Sequence, residues 1–209
     1  MPQKIYIVRH GETQYNVDRR LQGWTDIPLN KNGKQQAKKV ADRLKTEPIT
    51  VIYSSDHKRA KSTASAIAKA KNLKLHQTCK LREDRMGVFE GWQWEKEPDP
   101  IRQALWDKRN IARTTGDIHW KPEGGESLME HSQRVKKLLD AILTKHEDEI
   151  VVIVSHGGTI NRIVEYFGFK KHTDEYIRFQ NTSVTIITQK DNKYSLDLLN
   201  DITHLWLKI

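Results

Sequence analysis

Residues 150–154 read Ile-Val-Val-Ile-Val, and Ser155, His156, Gly157 and Gly158 follow at once. A β-branched run without polar alternation has no solvent face, so it predicts a strand covered on both sides. Such strands belong to parallel sheets, coated by the helices that cross between strands. The rest of the chain offers those elements. Residues 4–8 and 50–53 are short apolar strands, and 73–76 make a weaker one. Ala37, Val40, Ala41 and Leu44 recur at helical spacing behind Asn30 as a capping residue. Ala60, Thr63, Ala64 and Ile67 form a second stripe behind the capping types Ser54, Ser55 and Asp56. Ser127 and Glu130 match a capping box ahead of Val135, Leu138, Leu139 and Ile142. Ile160, Ile163, Val164 and Phe167 make the helix after the buried run, and 183–188 and 194–199 read as strands around an Asp191-Asn192 turn. The predicted class is α/β: a three-layer α/β/α arrangement around a mostly parallel central sheet.

Residues 81–126 break the alternation. They hold Trp92, Trp94, Trp106, Trp120, Pro98 and Pro100, with helical periodicity only near 101–108. We read one domain over 1–209 carrying a lid-like insertion at about 81–126 with one or two short helices. Cys79 is the sole cysteine, which excludes internal disulfides and cysteine-rich zinc sites. No apolar run approaches the ~20 residues of a membrane helix, and the first residues lack a signal core, so a cytoplasmic location is expected. Lys and Arg number 36 against 27 Asp and Glu, a net charge of +9. That balance favours an anionic partner, either a phosphorylated small molecule or a nucleic acid. No zinc finger, RNA-recognition motif or arginine-rich tail supports the second. The expectation is a small phosphorylated substrate, no nucleic acid or membrane partner, and a monomer or homodimer.

Arg9, His10, Arg59 and His156 each sit where a predicted strand hands over to a helix or loop. In open α/β sheets ligands bind beyond the carboxyl ends of the strands, so the four can meet at one mouth. Two guanidinium forks, two imidazoles and helix N-terminal amides make a site for a tetrahedral anion. The same arginines would repel a divalent cation, which argues against reading the histidines as metal ligands.

Arg9-His10-Gly11-Glu12-Thr13, with Asn16 just beyond, resembles the signature of the histidine phosphatase superfamily, the phosphoglycerate-mutase-like proteins. Further motifs match in order: Leu21-Gln22-Gly23; Leu29 to Gly33 with Gln36-Ala37; Ser54-Ser55 through Arg59-Ala60 to Thr63-Ala64; Leu81-Arg82-Glu83 with Gly87 and Glu90-Gly91; Gly125-Glu126-Ser127; and Ser155-His156-Gly157-Gly158. The resemblance implies that His10 accepts the phosphoryl group while a backbone carbonyl holds its other ring nitrogen. It implies a phosphate pocket of Arg9, Arg59 and His156, with hydrogen bonds from Asn16 and the Gly157 amide. Gln22 and Gly23 become candidate substrate contacts, although Gln22 can equally shape its loop. Glu83 becomes the general acid, with adjacent Asp84 as its rival. Neither a metal nor a cofactor is implied.

The superfamily holds phosphatases and cofactor-dependent mutases. Mutases carry an Asn-Arg-His-Tyr stretch after the acid and a longer basic insertion. Here Gly87, Glu90 and Gly91 resemble the phosphatase branch, and the tryptophans either place aromatic surface where a substrate would enter or form the core of the insertion, the commoner fate of any single one. The expected activity is a metal-independent phosphomonoesterase of broad specificity on small phosphorylated metabolites, acting through phosphohistidine. A cofactor-dependent phosphoglycerate mutase is the alternative. A binding protein that has lost its chemistry is opposed by the intact residue set.

Overall fold

The computed structural model describes residues 1–93, 95–191 and 193–206. The expected roles of Trp94 at the entrance and of Asn192 in a turn therefore lie outside the described residues. The elements run β1 (Lys4–Arg9), α1 (Gln14–Val17), α2 (Lys31–Leu44), β2 (Val51–Ser55), α3 (Lys58–Lys71), β3 (Leu75–Thr78), α4 (Pro100–Thr115), α5 (Leu128–Lys145), β4 (Ile150–Ser155), α6 (Gly157–Tyr166), β5 (Val184–Lys190) and β6 (Lys193–Asp201). They build one six-stranded sheet in the order β3-β2-β4-β1-β5-β6. The pairs β1–β4, β2–β4 and β2–β3 are parallel, while β5 and β6 run antiparallel at one edge.

Side chains alternate across each strand, and here both sides are apolar. Ile5, Ile7, Val151 and Ile153 pack on Val135, Leu139, Ile142, Ile160 and Ile163 of α5 and α6. Tyr6, Val8, Val152 and Val154 pack on Val40, Leu44, Ala60, Ala64 and Ile67 of α2 and α3. This is the three-layer sandwich that the unbroken run at 150–154 demands.

Two capping expectations hold and one does not. The Asn30 side chain accepts from the Gly33 N–H at 2.7 Å. Ser127 and Glu130 form the reciprocal box at the start of α5. In α3, however, the sheet claims Ser54 and Ser55, and Asp56 pairs with Arg82 at 2.6 Å. His57 precedes the helix without a side-chain cap, and Asp26 reaches over to accept from the Lys58 N–H at 2.7 Å. Replacing the cap in Ser127→Ala is expected to cost about 1 kcal/mol, read by urea denaturation. A change within a few tenths would mean that α5 is held by its apolar face alone.

The segment at 81–126 contains α4, longer than the periodicity near 101–108 suggests. Asp99 caps it by accepting from the Ile101 and Arg102 N–H groups, and Gly116, at φ +82°, ends it in the left-handed conformation. Phe89, Trp92 and Trp106 pack edge to face or stacked on one another, with centroids 5.2–6.3 Å apart, and Trp92 is buried. Those two tryptophans are the core of this segment rather than surface for an incoming substrate, because large aromatic area is better removed from water.

Candidate active site

Parallel register brings the site together. Val8 pairs with Val154 and Arg9 with Ser155, so β1 and β4 end level. The His10 N–H extends the ladder by one bond to the Ser155 carbonyl at 2.9 Å. His10 and His156 then stand side by side, ring centroids 5.1 Å apart, both buried. The turn after His10 lies against the start of α2: a Cβ on Gly11 would fall 2.6 Å from the Gly33 carbonyl oxygen, so backbone must meet backbone there. Glu12 reinforces the junction by accepting from the side-chain amides of Asn30 and Asn32 at 2.8 and 3.1 Å.

His10 Nδ1 lies 2.7 Å from the Gly11 carbonyl oxygen. A carbonyl only accepts, so Nδ1 carries the proton and Nε2 keeps its lone pair. Burial, then Arg59 and Arg9, pushes the His10 pKa well below 6.5. The ring is neutral and nucleophilic at physiological pH.

Arg59, wholly buried in the first turn of α3, is tied at three points. Its Nη2 donates to the Gly23 carbonyl at 2.8 Å, its Nη1 to the Thr25 carbonyl at 2.8 Å and its Nε to His156 Nδ1 at 3.1 Å. Burial pushes its pKa down to about 10, so it stays charged at neutral pH. Because His156 Nδ1 accepts from Arg59, its proton sits on Nε2. That Nε2–H is solvent-excluded and unpartnered, and so is Arg9 Nε. Arg9 is anchored by Nη1 on the Phe179 carbonyl at 2.6 Å. Two enclosed donors left open beside a neutral nucleophile call for an anion, since buried polar groups are otherwise paired.

The remaining predicted residues surround this pocket in unequal ways. Asn16 Oδ1 accepts from the Thr13 N–H and hydroxyl, both at 3.1 Å, and from Asn181 Nδ2 at 3.3 Å. Its oxygen is thus committed and its amide nitrogen turned away from those donors. Gln22 Oε1 accepts from the Thr13 hydroxyl at 3.1 Å. Gly23, at φ +49°, uses its carbonyl on Arg59, an arginine-anchoring role that the sequence reading did not foresee. Gly157 opens α6, so its N–H is one of the unpaired amides of a helix start.

Glu83 and Asp84 point to different places. Glu83 accepts from the Gly158, Thr159 and Asp84 N–H groups at 3.0, 3.1 and 2.9 Å. A side chain at Gly158 would collide with its carboxylate. Glu83 therefore lies on the N-terminus of α6 at the pocket. Asp84 turns to α4, where Arg109 Nη2 donates to it at 2.9 Å. Burial raises its pKa to about 6 against the pull of Arg109. Geometry separates the two carboxyls that the sequence left as rivals.

Three side chains at the site carried no signal in the reading of the sequence. Asn181 Nδ2 donates to the His10 carbonyl at 3.0 Å. His57 packs edge-on against His156 with centroids 5.5 Å apart, and burial pushes its pKa down to about 4. Tyr176 reaches in from the segment between α6 and β5: a Cβ on Gly157 would stand 3.4 Å from its hydroxyl and 3.9 Å from Arg9 Nε. His57 lies within the Ser54–Arg59 motif but was assigned no role there, Tyr176 lies in no motif, and Asn181 lies in a stretch without periodicity. A carboxylate–histidine cluster of Asp84, Glu126 and His131 lies behind the pocket. Its groups are occupied by Arg109, Arg134 and the Thr159 hydroxyl.

Comparison with known proteins bears on the family and the fold. The sequence model described as Histidine phosphatase superfamily (branch 1) matches residues 5–202. Phosphoglycerate mutase-like protein 4 of Arabidopsis thaliana is 38% identical over 205 residues, 97% of this chain and 86% of that protein. The metal-independent phosphoserine phosphatase of Arabidopsis thaliana is 35% identical over 208 residues, 97% of this chain and 83% of that protein. The solved structure of Bacillus stearothermophilus YhfR shares the fold with a TM-score of 0.84 and 31% identity, over 98% of this chain and 100% of that one.

Proposed function

The chain belongs to branch 1 of the histidine phosphatase superfamily, and from that membership we propose that it is a metal-independent phosphomonoesterase acting through a phosphohistidine on His10. The observation that carries this reading is the state of His10: Nδ1 is held by the Gly11 carbonyl and Nε2 is free beside the open donors of Arg9 and His156. A phosphate ester seated on those donors presents phosphorus to Nε2. The Nε2 lone pair forms the P–N bond as the P–O bond to the alcohol breaks, and the leaving oxygen takes the proton of the Glu83 carboxyl, leaving a carboxylate. Water then attacks phosphorus, the P–N bond breaks, and Glu83 receives the proton of the water. Arg9, Arg59 and His156 stabilise the charge spread over the equatorial oxygens in both steps.

Small phosphorylated metabolites are the substrate class, accepted broadly. A mutase must hold a second phosphate and needs unpaired cations above the pocket. Here Arg82 pairs with Asp56, Arg109 with Asp84 and Arg134 with Glu126, and Arg113 lies on the face of the Tyr176 ring; that three of these four guanidiniums are already paired with carboxylates favours hydrolysis over mutase chemistry. The deciding experiment is inorganic phosphate release in EDTA from a panel that includes p-nitrophenyl phosphate, phosphoserine and 3-phosphoglycerate. Undiminished release is the expected result. Loss restored by magnesium would overturn the metal-free mechanism, and interconversion of phosphoglycerates without release would make the chain a mutase. Within the same panel, Glu83→Gln is expected to slow poor leaving groups by about 10²-fold or more and p-nitrophenyl phosphate far less. Equal slowing across the panel would remove Glu83 from leaving-group protonation.

A further inference from the structure

We propose that the Tyr176 hydroxyl is a further donor to the phosphoryl group, and that Arg113 of α4 is the residue that positions it. The inference rests on the phosphate pocket described above and adds a contact from outside every motif of the sequence. Tyr176 lies between Phe167 and Phe179 on the strap that joins α6 to β5, far in sequence from His10 and Glu83. Yet its hydroxyl and Arg9 Nε converge on the same corner above Gly157, 3.4 and 3.9 Å from the point where a Cβ would stand. A Cβ at residue 157 would occupy that corner in contact with both, and Gly157 leaves it free. Arg9 Nε is buried there without a hydrogen-bond partner, and the half-buried Tyr176 brings its hydroxyl to the same place. A tetrahedral anion at the corner would satisfy both donors together.

The hydroxyl keeps its proton for this task. Burial, with Glu83 nearby, pushes the Tyr176 pKa up to about 12. It is therefore a hydrogen-bond donor across the working pH range and does not add negative charge beside an incoming phosphate.

The ring is held from its other face. The Arg113 guanidinium lies 4.3 Å from the ring centroid, a cation–π contact. Arg113 makes no ion pair among the described residues, and its Nη2 is solvent-excluded without a partner. A guanidinium spent on an aromatic face in place of a carboxylate fixes the plane of that ring. Through it, the placement of α4 is coupled to the phosphate pocket.

The test is titration calorimetry with inorganic phosphate on the parent, Tyr176→Phe, Arg113→Gln and the double variant, beside kcat/KM for p-nitrophenyl phosphate. The Phe side chain keeps the ring and its contact with Arg113, so it removes the oxygen alone. Tyr176→Phe is expected to weaken phosphate binding about tenfold, the scale of one hydrogen bond to a charged group, and to lower kcat/KM at least as much. Arg113→Gln is expected to produce a smaller loss that disappears in the Tyr176→Phe background. Phosphate affinity within twofold of the parent in Tyr176→Phe would overturn the contact, and additive losses would overturn the positioning role of Arg113. A parent that binds phosphate but releases none from any ester would overturn the esterase reading and leave the Tyr176 contact standing.

Discussion

His10→Ala is expected to lower phosphate release by at least about 10⁴-fold, the scale seen when a covalent nucleophile is removed. The ring is a neutral nucleophile whose Nδ1 is held by the Gly11 carbonyl, and it stands beside the enclosed donors of Arg9 and His156. Rate and intermediate should disappear together: acid quenching of the parent should trap an acid-labile, base-stable phosphate that the variant never forms. Phosphate trapped on a serine would move the nucleophile elsewhere. The pH profile gives an independent check. Only neutral imidazole attacks, and burial with Arg59 and Arg9 nearby holds the His10 pKa well below 6.5. As pH falls through 6.5 the ring therefore stays neutral, and the acid limb of kcat/KM should lie well below 6.5. A limb centred at or above 6.5 would contradict the environment described for His10.

Arg59→Lys is expected to be nearly as damaging as Arg59→Met, with kcat/KM down by about 10³-fold, the scale of losing a donor to the developing charge. The guanidinium holds the Gly23 and Thr25 carbonyls and His156 Nδ1 at the same time. A single ammonium cannot reproduce that fork. Losing Nε–H also releases the tautomer of His156, so its Nε2 is no longer committed as a donor. Arg59→Met further leaves two buried acceptors and the half-buried Thr25 carbonyl unpaired, which should cost about 2–4 kcal/mol, read by thermal or urea unfolding. An Arg59→Lys enzyme within tenfold of the parent would show that only the positive charge matters. A Met variant of parental stability would show that water replaces all three bonds.

The parts legible in the sequence were those with local causes. The unbroken run at 150–154, the helical stripes and the Ser127–Glu130 box report backbone pairing and burial within one element. The capping of α3 was misread because it is not local: sheet pairing claims Ser54 and Ser55, and the cap comes from Asp26, 32 residues before Lys58. For Trp92 and Trp106 the sequence leaves two readings open, an entrance surface or the core of the segment, and packing decides for the core. A large aromatic side chain has the same composition whether it faces a substrate or packs on Phe89.

By itself the sequence determined the α/β class and the strand ends on which Arg9, His10 and His156 stand. Charge, capping and periodicity are properties of neighbouring residues, and those suffice for such statements. The tertiary structure alone decided the level register of Arg9 with Ser155, the tautomers of the two histidines and the parting of Glu83 from Asp84. It alone brought Tyr176 and Asn181 into the pocket. Each of these depends on which distant donors and acceptors packing brings within hydrogen-bond reach, and no local preference of the chain encodes that distance.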